Sequence, residues 1–128
     1  MSKVLIIDDD VTNIFALKAV LQSRGWQTAS ANHARAGLSI LNSDKEIAIV
    51  LVDIMMPDID GYETIGLIKQ QQQLQNIPVI AVTAQAMAGD REKCLEAGAD
   101  EYVSKPIDVD KLFALLQNFT SLNKWNGH

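Results

Sequence analysis

Three consecutive carboxylates, Asp8, Asp9 and Asp10, follow directly on an apolar run in the stretch VLIIDDDVTN. Adjacent like charges repel, and in a partly buried site the repulsion raises a carboxyl pKa or calls for a cation, so such a cluster binds metal or does chemistry. The same residues serve equally well as a solvated helix start, where Asp accepts hydrogen bonds from the first backbone amides. Three more reactive groups follow apolar or mixed runs in the same way: Asp53 after residues 47–52, Thr83 after 79–82, and Lys105, with Pro106 behind it, after 101–104. Each has an ordinary reading when taken alone. Asp53 could cap a turn, Thr83 could end a strand because it is β-branched, and Lys105 could be a surface charge. What none of those readings explains is why acids, a hydroxyl and an amine recur at four comparable positions.

The elements that must carry these groups follow one rhythm. Apolar segments 4–7, 47–52 and 79–82 alternate with helical patterns, and βα alternation implies a parallel sheet covered on both faces. Segments 27–31 and 101–104 mix polar with apolar residues, as edge strands do, which leaves the three apolar strands in the centre. Helices fit the gaps at about 11–24, stopped by Gly25; 33–43, capped by Asn32; 61–73, capped by Asp60; 88–97, stopped by Gly98; and 109–121, capped by Asp108. Val109, Leu112, Phe113, Leu116 and Phe119 have the three-and-four spacing of a packed helical face. Gln70 to Gln73 read as a solvated helix end, and the tail at 122–128, with Trp125 and His128, as loose. In a doubly wound α/β sheet ligands bind beyond the carboxyl ends of the strands, the edge to which all four reactive positions are delivered.

Bulk properties limit the alternatives. A chain of 128 residues is expected to form a single domain, 1–128, able to bury a core without disulfides or structural metal. Cys94 is the single cysteine, no Cys/His spacing suits zinc, and no charged-then-apolar leader opens the chain, which favours a cytoplasmic location. The longest apolar run, 47–52, is too short to span a bilayer, so no membrane insertion is expected. The net charge of -5, with scattered Lys and Arg, argues against direct nucleic-acid binding.

The segments IIDDD, LVDIMMPDIDG, AVTAQAMAGD and YVSKP together resemble the receiver domain of two-component response regulators, over about residues 3–121 and most nearly in its single-domain, phosphorelay form. The resemblance implies a flavodoxin-like fold with five parallel strands in the order 2-1-3-4-5 and five flanking helices. That order has the same outer strands as the edge-strand argument. It also implies a phospho-accepting switch, with Asp53 as the nucleophile that becomes an acyl phosphate. Asp8, Asp9 and Asp53, with the backbone carbonyl of Met55, would hold Mg²⁺, a hard cation suited to oxygen ligands, with Mn²⁺ as a substitute. Lys105 would supply a second positive charge and Thr83 a hydroxyl donor to the phosphoryl group. The Lys105–Pro106 bond would be cis, and Thr83 with Tyr102 would form the switch pair.

Asp10 is expected to cap the first helix and not to bind metal. Ala84 is small enough to leave a donor room, and Pro57 and Gly61 shape the loop after Asp53, Gly61 by permitting close backbone approach. Met55 and Met56 could form partner surface, though packing is the plainer role for Met56, and Gln85 is placed to influence phosphoryl lifetime. The implied donor is a histidine kinase or histidine phosphotransferase approaching near Asn13 and the loop after Pro106. The implied listener is an unidentified output protein meeting the fourth helix, fifth strand and fifth helix. Such a protein phosphorylates and dephosphorylates itself without being a turnover enzyme. Two other readings fit parts of the pattern. The Asp8-x-Asp10-x-Thr12 pattern also fits a haloacid-dehalogenase-type phosphatase with Asp8 as nucleophile and Asp10 as acid/base, but that leaves Asp53 without a role. A purely binding domain would have no use for the clustered acids.

Overall fold

The computed structural model describes residues 3–55, 61–84 and 89–126, with side chains through residue 120. Its elements run β1 (Lys3–Ile7), α1 (Val11–Ser23), β2 (Gln27–Ala31), α2 (Ala34–Ser43), β3 (Ile47–Asp53), α3 (Gly61–Gln70), β4 (Val79–Thr83), α4 (Asp90–Ala97), β5 (Glu101–Ser104) and α5 (Val109–Asn126). The strands form one sheet in the order β2-β1-β3-β4-β5, every neighbouring pair parallel. β1, β3 and β4 are almost entirely buried, as their largely apolar, Val/Ile/Leu-rich composition requires, while β2 and β5 keep half-exposed positions at the edges.

Alternation along the strands makes two cores. Leu5, Ile7, Val50, Val52 and Ala81 face α2, α3 and α4, where Leu41, Ile65, Ile68 and Cys94 meet them. Val4, Ile6, Leu51, Val82 and Val103 face α1 and α5, against Leu21, Leu112, Phe113 and Leu116. The spacing of Leu112, Phe113 and Leu116 thus does set the packed face of α5.

Several local expectations need correction. The cap of α2 is His33 instead of Asn32: His33 is extended (φ -158, ψ 166) and its Nδ1 accepts from the Ala36 amide at 3.2 Å, which moves the helix start one residue on. Helix α3 ends at Gln70, so Gln71 to Gln73 lie in turns beyond it. Leu74 is 1 % exposed and must leave the helical path to reach the core, and the Lys69 ammonium donates to the carbonyls of Gln75 (3.2 Å) and Ile77 (3.0 Å) and to Asp100 (3.0 Å). Helix α4 begins at Asp90, after Gly89 in the left-handed region (φ 95), and Gly98 (φ 118) ends it. The backbone continues as helix to Asn126 where a loose tail from 122 was expected. The Asp108 cap is present, accepting from the amides of Asp110 (3.1 Å) and Lys111 (3.2 Å). The Asp60 cap, Pro57 and His128 lie outside the described residues, as does the side chain of Trp125.

Two glycines of α3 make opposite predictions. A Cβ on Gly61 would run into the backbone of Asp53 and Ile54, whereas one on Gly66 meets nothing within 4 Å. Gly61→Ala is therefore expected to destabilise the fold by about 2 kcal/mol or more. Gly66→Ala should stabilise it by about 0.5–1 kcal/mol. Urea unfolding of both variants checks the pair, and equal effects would mean that Gly61 is not held against β3.

Candidate functional site

Parallel register decides which side chains meet at the carboxyl edge of the sheet. Ile6 pairs with Leu51 and Ile7 with Val52, so the next residues, Asp8 and Asp53, arrive level with each other. Ile6 and Leu51 face α1 and α5, and alternation sends Asp8 and Asp53 to that same side. Both are buried, at 3 % and 4 % exposure, while Asp9 between the strand end and the helix is exposed. Carboxylate oxygens of Asp8, Asp9 and Asp53 all lie within 4.8 Å of one another.

Local hydrogen bonds hold the pair in place. Asp8 continues the β1–β2 ladder by donating its amide to the Ala31 carbonyl (3.1 Å), and its Oδ1 accepts from the Asp10 amide (2.9 Å). Asp53 Oδ1 accepts from the Met55 amide (3.1 Å). Burial pushes the Asp8 carboxyl up to about 6, and the neighbouring Asp53 carboxyl adds to the rise; the Asp10 amide and the Lys105 charge oppose it. This is an oxygen-only cluster of hard donors with mutual repulsion to relieve, which fits a small divalent cation.

Lys105 comes from the opposite end of the cluster. Its ammonium stands 3.7 Å from Asp53 Oδ1, and its backbone amide donates to the Thr83 carbonyl at 2.7 Å, continuing the β4–β5 register in which Thr83 pairs with Ser104. The Lys105–Pro106 peptide is cis. Thr83 is 3 % exposed. Because Val82 and Val103 face α1 and α5 while Ala81 and Tyr102 face the other core, alternation places Thr83 and Tyr102 on one face of adjacent strands. Tyr102 is half-buried there.

Asp10 turns away from the cluster. Its Oδ1 accepts from the amides of Thr12 (2.9 Å) and Asn13 (3.4 Å) as the cap of α1, which leaves a phosphatase mechanism without its second acid. Ala84 is exposed beside Thr83, and the Met55 side chain is 57 % exposed at the rim. Met56 and Gln85 lie outside the described residues. Two features were not anticipated from the sequence. Val11 and Phe15, one turn apart on α1, are 70 % and 75 % exposed, and a cleft of about 340 Å³ runs between α1 and α5 from Asp8, Asp53 and Lys105 inward. The exposed pair had a visible signal, since α1 carries apolar residues on every side and one sheet can cover only one side of it.

Comparison with known proteins agrees with this geometry. The family model described as response regulator receiver domain matches residues 4–117. The polar-differentiation response regulator DivK of Brucella ovis is 33% identical over 118 residues, covering 91% of this chain and 94% of its own. The receiver domain of a signal transduction histidine kinase from Syntrophus aciditrophicus superposes with a TM-score of 0.85 at 30% identity, over 94% of this chain and 91% of that one. The receiver domain of the sensor histidine kinase PA1611 from Pseudomonas aeruginosa, a structure with a magnesium ion coordinated in the active site cleft, does so with a TM-score of 0.83 at 30% identity, over 92% and 96%. A match that runs from the first strand into the last helix, in family model, sequence and fold alike, places this chain in the response regulator receiver family, the phospho-accepting switches of two-component signalling.

Proposed function

We propose that Asp53 is the phosphoacceptor, and that the chain acts as a single receiver domain over 1–128 in the cytoplasm. The observation that carries this reading is the convergence of Asp8, Asp9 and Asp53 within 4.8 Å, with the Lys105 ammonium 3.7 Å from Asp53. An Asp53 carboxylate oxygen attacks the phosphorus of a phosphohistidine; the O–P bond forms as the P–N bond breaks, and the imidazole nitrogen keeps the electron pair. Asp8, Asp9, Asp53 and the Met55 carbonyl would hold Mg²⁺, or Mn²⁺ in its place, whose charge offsets that on the transferring oxygens. The magnesium in the PA1611 receiver supports that assignment.

Lys105 places a compact positive charge beside the acceptor and counters the incoming charge. The Thr83 hydroxyl donates to a phosphoryl oxygen after transfer, and Tyr102, on the same face, turns inward as Thr83 moves. Loss of the phosphoryl group to water at the same site makes the reaction self-limiting, a switch more than a turnover enzyme. The donor, a histidine kinase or histidine phosphotransferase, approaches over Asn13, the exposed Val11 and Phe15, and the loop after Pro106. The output protein meets α4, β5 and α5. Neither nucleic-acid binding nor membrane insertion is part of this reading: the net charge is -5, and no helix among the described residues is long and apolar enough to cross a membrane.

Incubation with a small-molecule phosphodonor and Mg²⁺, followed by mass spectrometry, should show one phosphoryl group on Asp53, labile to base and hydroxylamine. Asp53→Asn should keep the fold and take none; stoichiometric labelling of that variant would overturn the assignment. Thr83→Ala should still accept the phosphoryl group but shift less. Its lost charge-assisted hydrogen bond is worth about 1.5–3 kcal/mol, roughly ten- to hundredfold in the switch equilibrium. Backbone NMR of both phosphorylated proteins tests this over the described residues of β4 to β5, where equal shifts would make Thr83 a bystander.

The raised Asp8 carboxyl gives a pH signature in metal-free protein. Because its folded-state pKa of about 6 exceeds the ordinary carboxylate value, the native state binds the proton first, and stability rises as pH falls through that range. Between pH 7 and pH 5 the gain is about 1 kcal/mol, or about 3 °C in Tm. Asp8→Asn lacks this titration, so it should melt above wild type at pH 7, with the gap closing by about 3 °C at pH 5. A gap independent of pH would show that Asp8 is ionised throughout.

A further inference from the structure

The cleft of about 340 Å³ between α1 and α5 opens at the acceptor, and its inner, apolar walls have no role in the transfer proposed above. Its floor is made by Leu51, Val82 and Leu112, each at most 3 % exposed, and Leu17 and Val20 of α1 form one wall. Outside the lining residues Arg24 links the two elements, its guanidinium 4.4 Å from the centre of the Phe113 ring and 3.7 Å from Asp110. The cleft is therefore apolar along the helices, with its charged lining groups gathered at the strand ends. Walls of this kind offer water few hydrogen-bond partners, and the volume falls within the range of small-molecule sites.

The mouth decides what kind of molecule fits. Asp8 and Asp53 both line it, Asp9 stands exposed beside them, and among the described residues Lys105 is the one cation lining the cleft. Its ammonium, at 3.7 Å from Asp53, lies beyond hydrogen-bond distance and leaves carboxylate acceptor capacity unused. The negative excess at the mouth is complementary to a cationic head.

We propose that the α1–α5 cleft binds small amphipathic amines, with an aryl or alkyl body between the helices and an ammonium head on the Asp8 and Asp53 carboxylates. Such a ligand shares its carboxylates with any divalent cation, so amine and Mg²⁺ weaken each other's binding by the same factor. On the reading of Asp53 as phosphoacceptor, it also opposes phosphorylation. That consequence rests on the proposed function, whereas the binding itself does not.

The experiment is a backbone and methyl NMR titration of the full chain without metal, using 4-phenylbutylamine, its carboxylate analogue 4-phenylbutyrate and the neutral 4-phenylbutanol. The amine should give saturable shifts along the facing sides of α1 and α5, with contacts from its ring protons to the methyls of Val20 and Leu112. It should bind at least about tenfold more tightly than either analogue, and millimolar Mg²⁺ should weaken it by about tenfold or more. Val20→Phe should abolish the shifts by filling the cleft, and the ring-to-methyl contacts in wild type provide the test if that variant does not fold. Equal binding of the carboxylate or the alcohol, indifference to Mg²⁺, shifts confined to the strand-end loops, or no saturable shift would each overturn the proposal. None of these outcomes depends on phosphoryl transfer, so they leave the Asp53 assignment to its own test.

Discussion

Asp8 and Asp53 stand side by side, nearly buried, at the ends of two paired central strands, and the rest of the molecule has to hold them there against their repulsion. The rise of the Asp8 carboxyl to about 6, caused first by burial and then by Asp53, puts the cost of keeping it ionised there at about 2 to 3 kcal/mol at neutral pH. The four residues just before them, Ile6, Ile7, Leu51 and Val52, are each at most 1 % exposed. Each contributes about 1.5–3 kcal/mol of burial, so one or two offset the whole penalty. The strands cannot slip to separate the charges without exposing those side chains. An acidic pocket under tension is thus sustained by an apolar sheet, and a divalent cation or a proton relieves the tension.

The same alternation that joins the acids separates the signal from its source. Asp8 and Asp53 turn toward α1 and α5, while Thr83 and Tyr102 turn toward the opposite core. Between them runs the hydrogen bond from the Lys105 amide to the Thr83 carbonyl, so the backbone that carries the cation is tied to the strand that carries the hydroxyl. Under the proposed transfer, a group gained on one face of the sheet is felt on the other through strand ends that move together. The Lys69 tie to Gln75, Ile77 and Asp100, with Asp100 also accepting from the Val79 amide (2.8 Å), fixes the far ends of β4 and β5.

Much of this was legible because strands are local and periodic. All five strand positions, the two edge strands, and the Asp10 and Asp108 caps follow from composition and alternation, with β1, β3 and β4 each one residue longer, by Lys3, Asp53 and Thr83, while the full strand order is what the family resemblance implies. The misplacements have non-local causes. Helix α3 stops early because Leu74 must reach the core and Lys69 reaches a residue thirty-one positions away, and neither constraint is visible in a run of glutamines. The α2 cap slipped by one because Asn32 and His33 both accept hydrogen bonds well, and only the backbone path chooses between them. At the site, the strand ends named the acids, the hydroxyl and the amine, but the α1–α5 cleft depends on the distance between two helices far apart in the chain.

That distance explains the unusual state of α1. The helix has apolar residues on all sides but buries only Leu21 fully, with Ile14, Leu17 and Val20 packed in part and Val11 and Phe15 left outside. A helix drawn closer to α5 would bury more and close the cleft, gaining on the order of 25 cal/mol for each Å² of apolar surface covered. It is held off at the end that matters. Asp10 caps α1 directly from the acidic loop, and Asp8 accepts from the Asp10 amide, so the first turn is fixed by the position of the acids more than by the core. The apolar surface left beside the pocket is then a consequence of keeping the carboxylates aligned. Under the proposed function it would give a protein donor apolar contacts around a charged centre, the arrangement in which burial supplies affinity and the buried charge supplies selectivity.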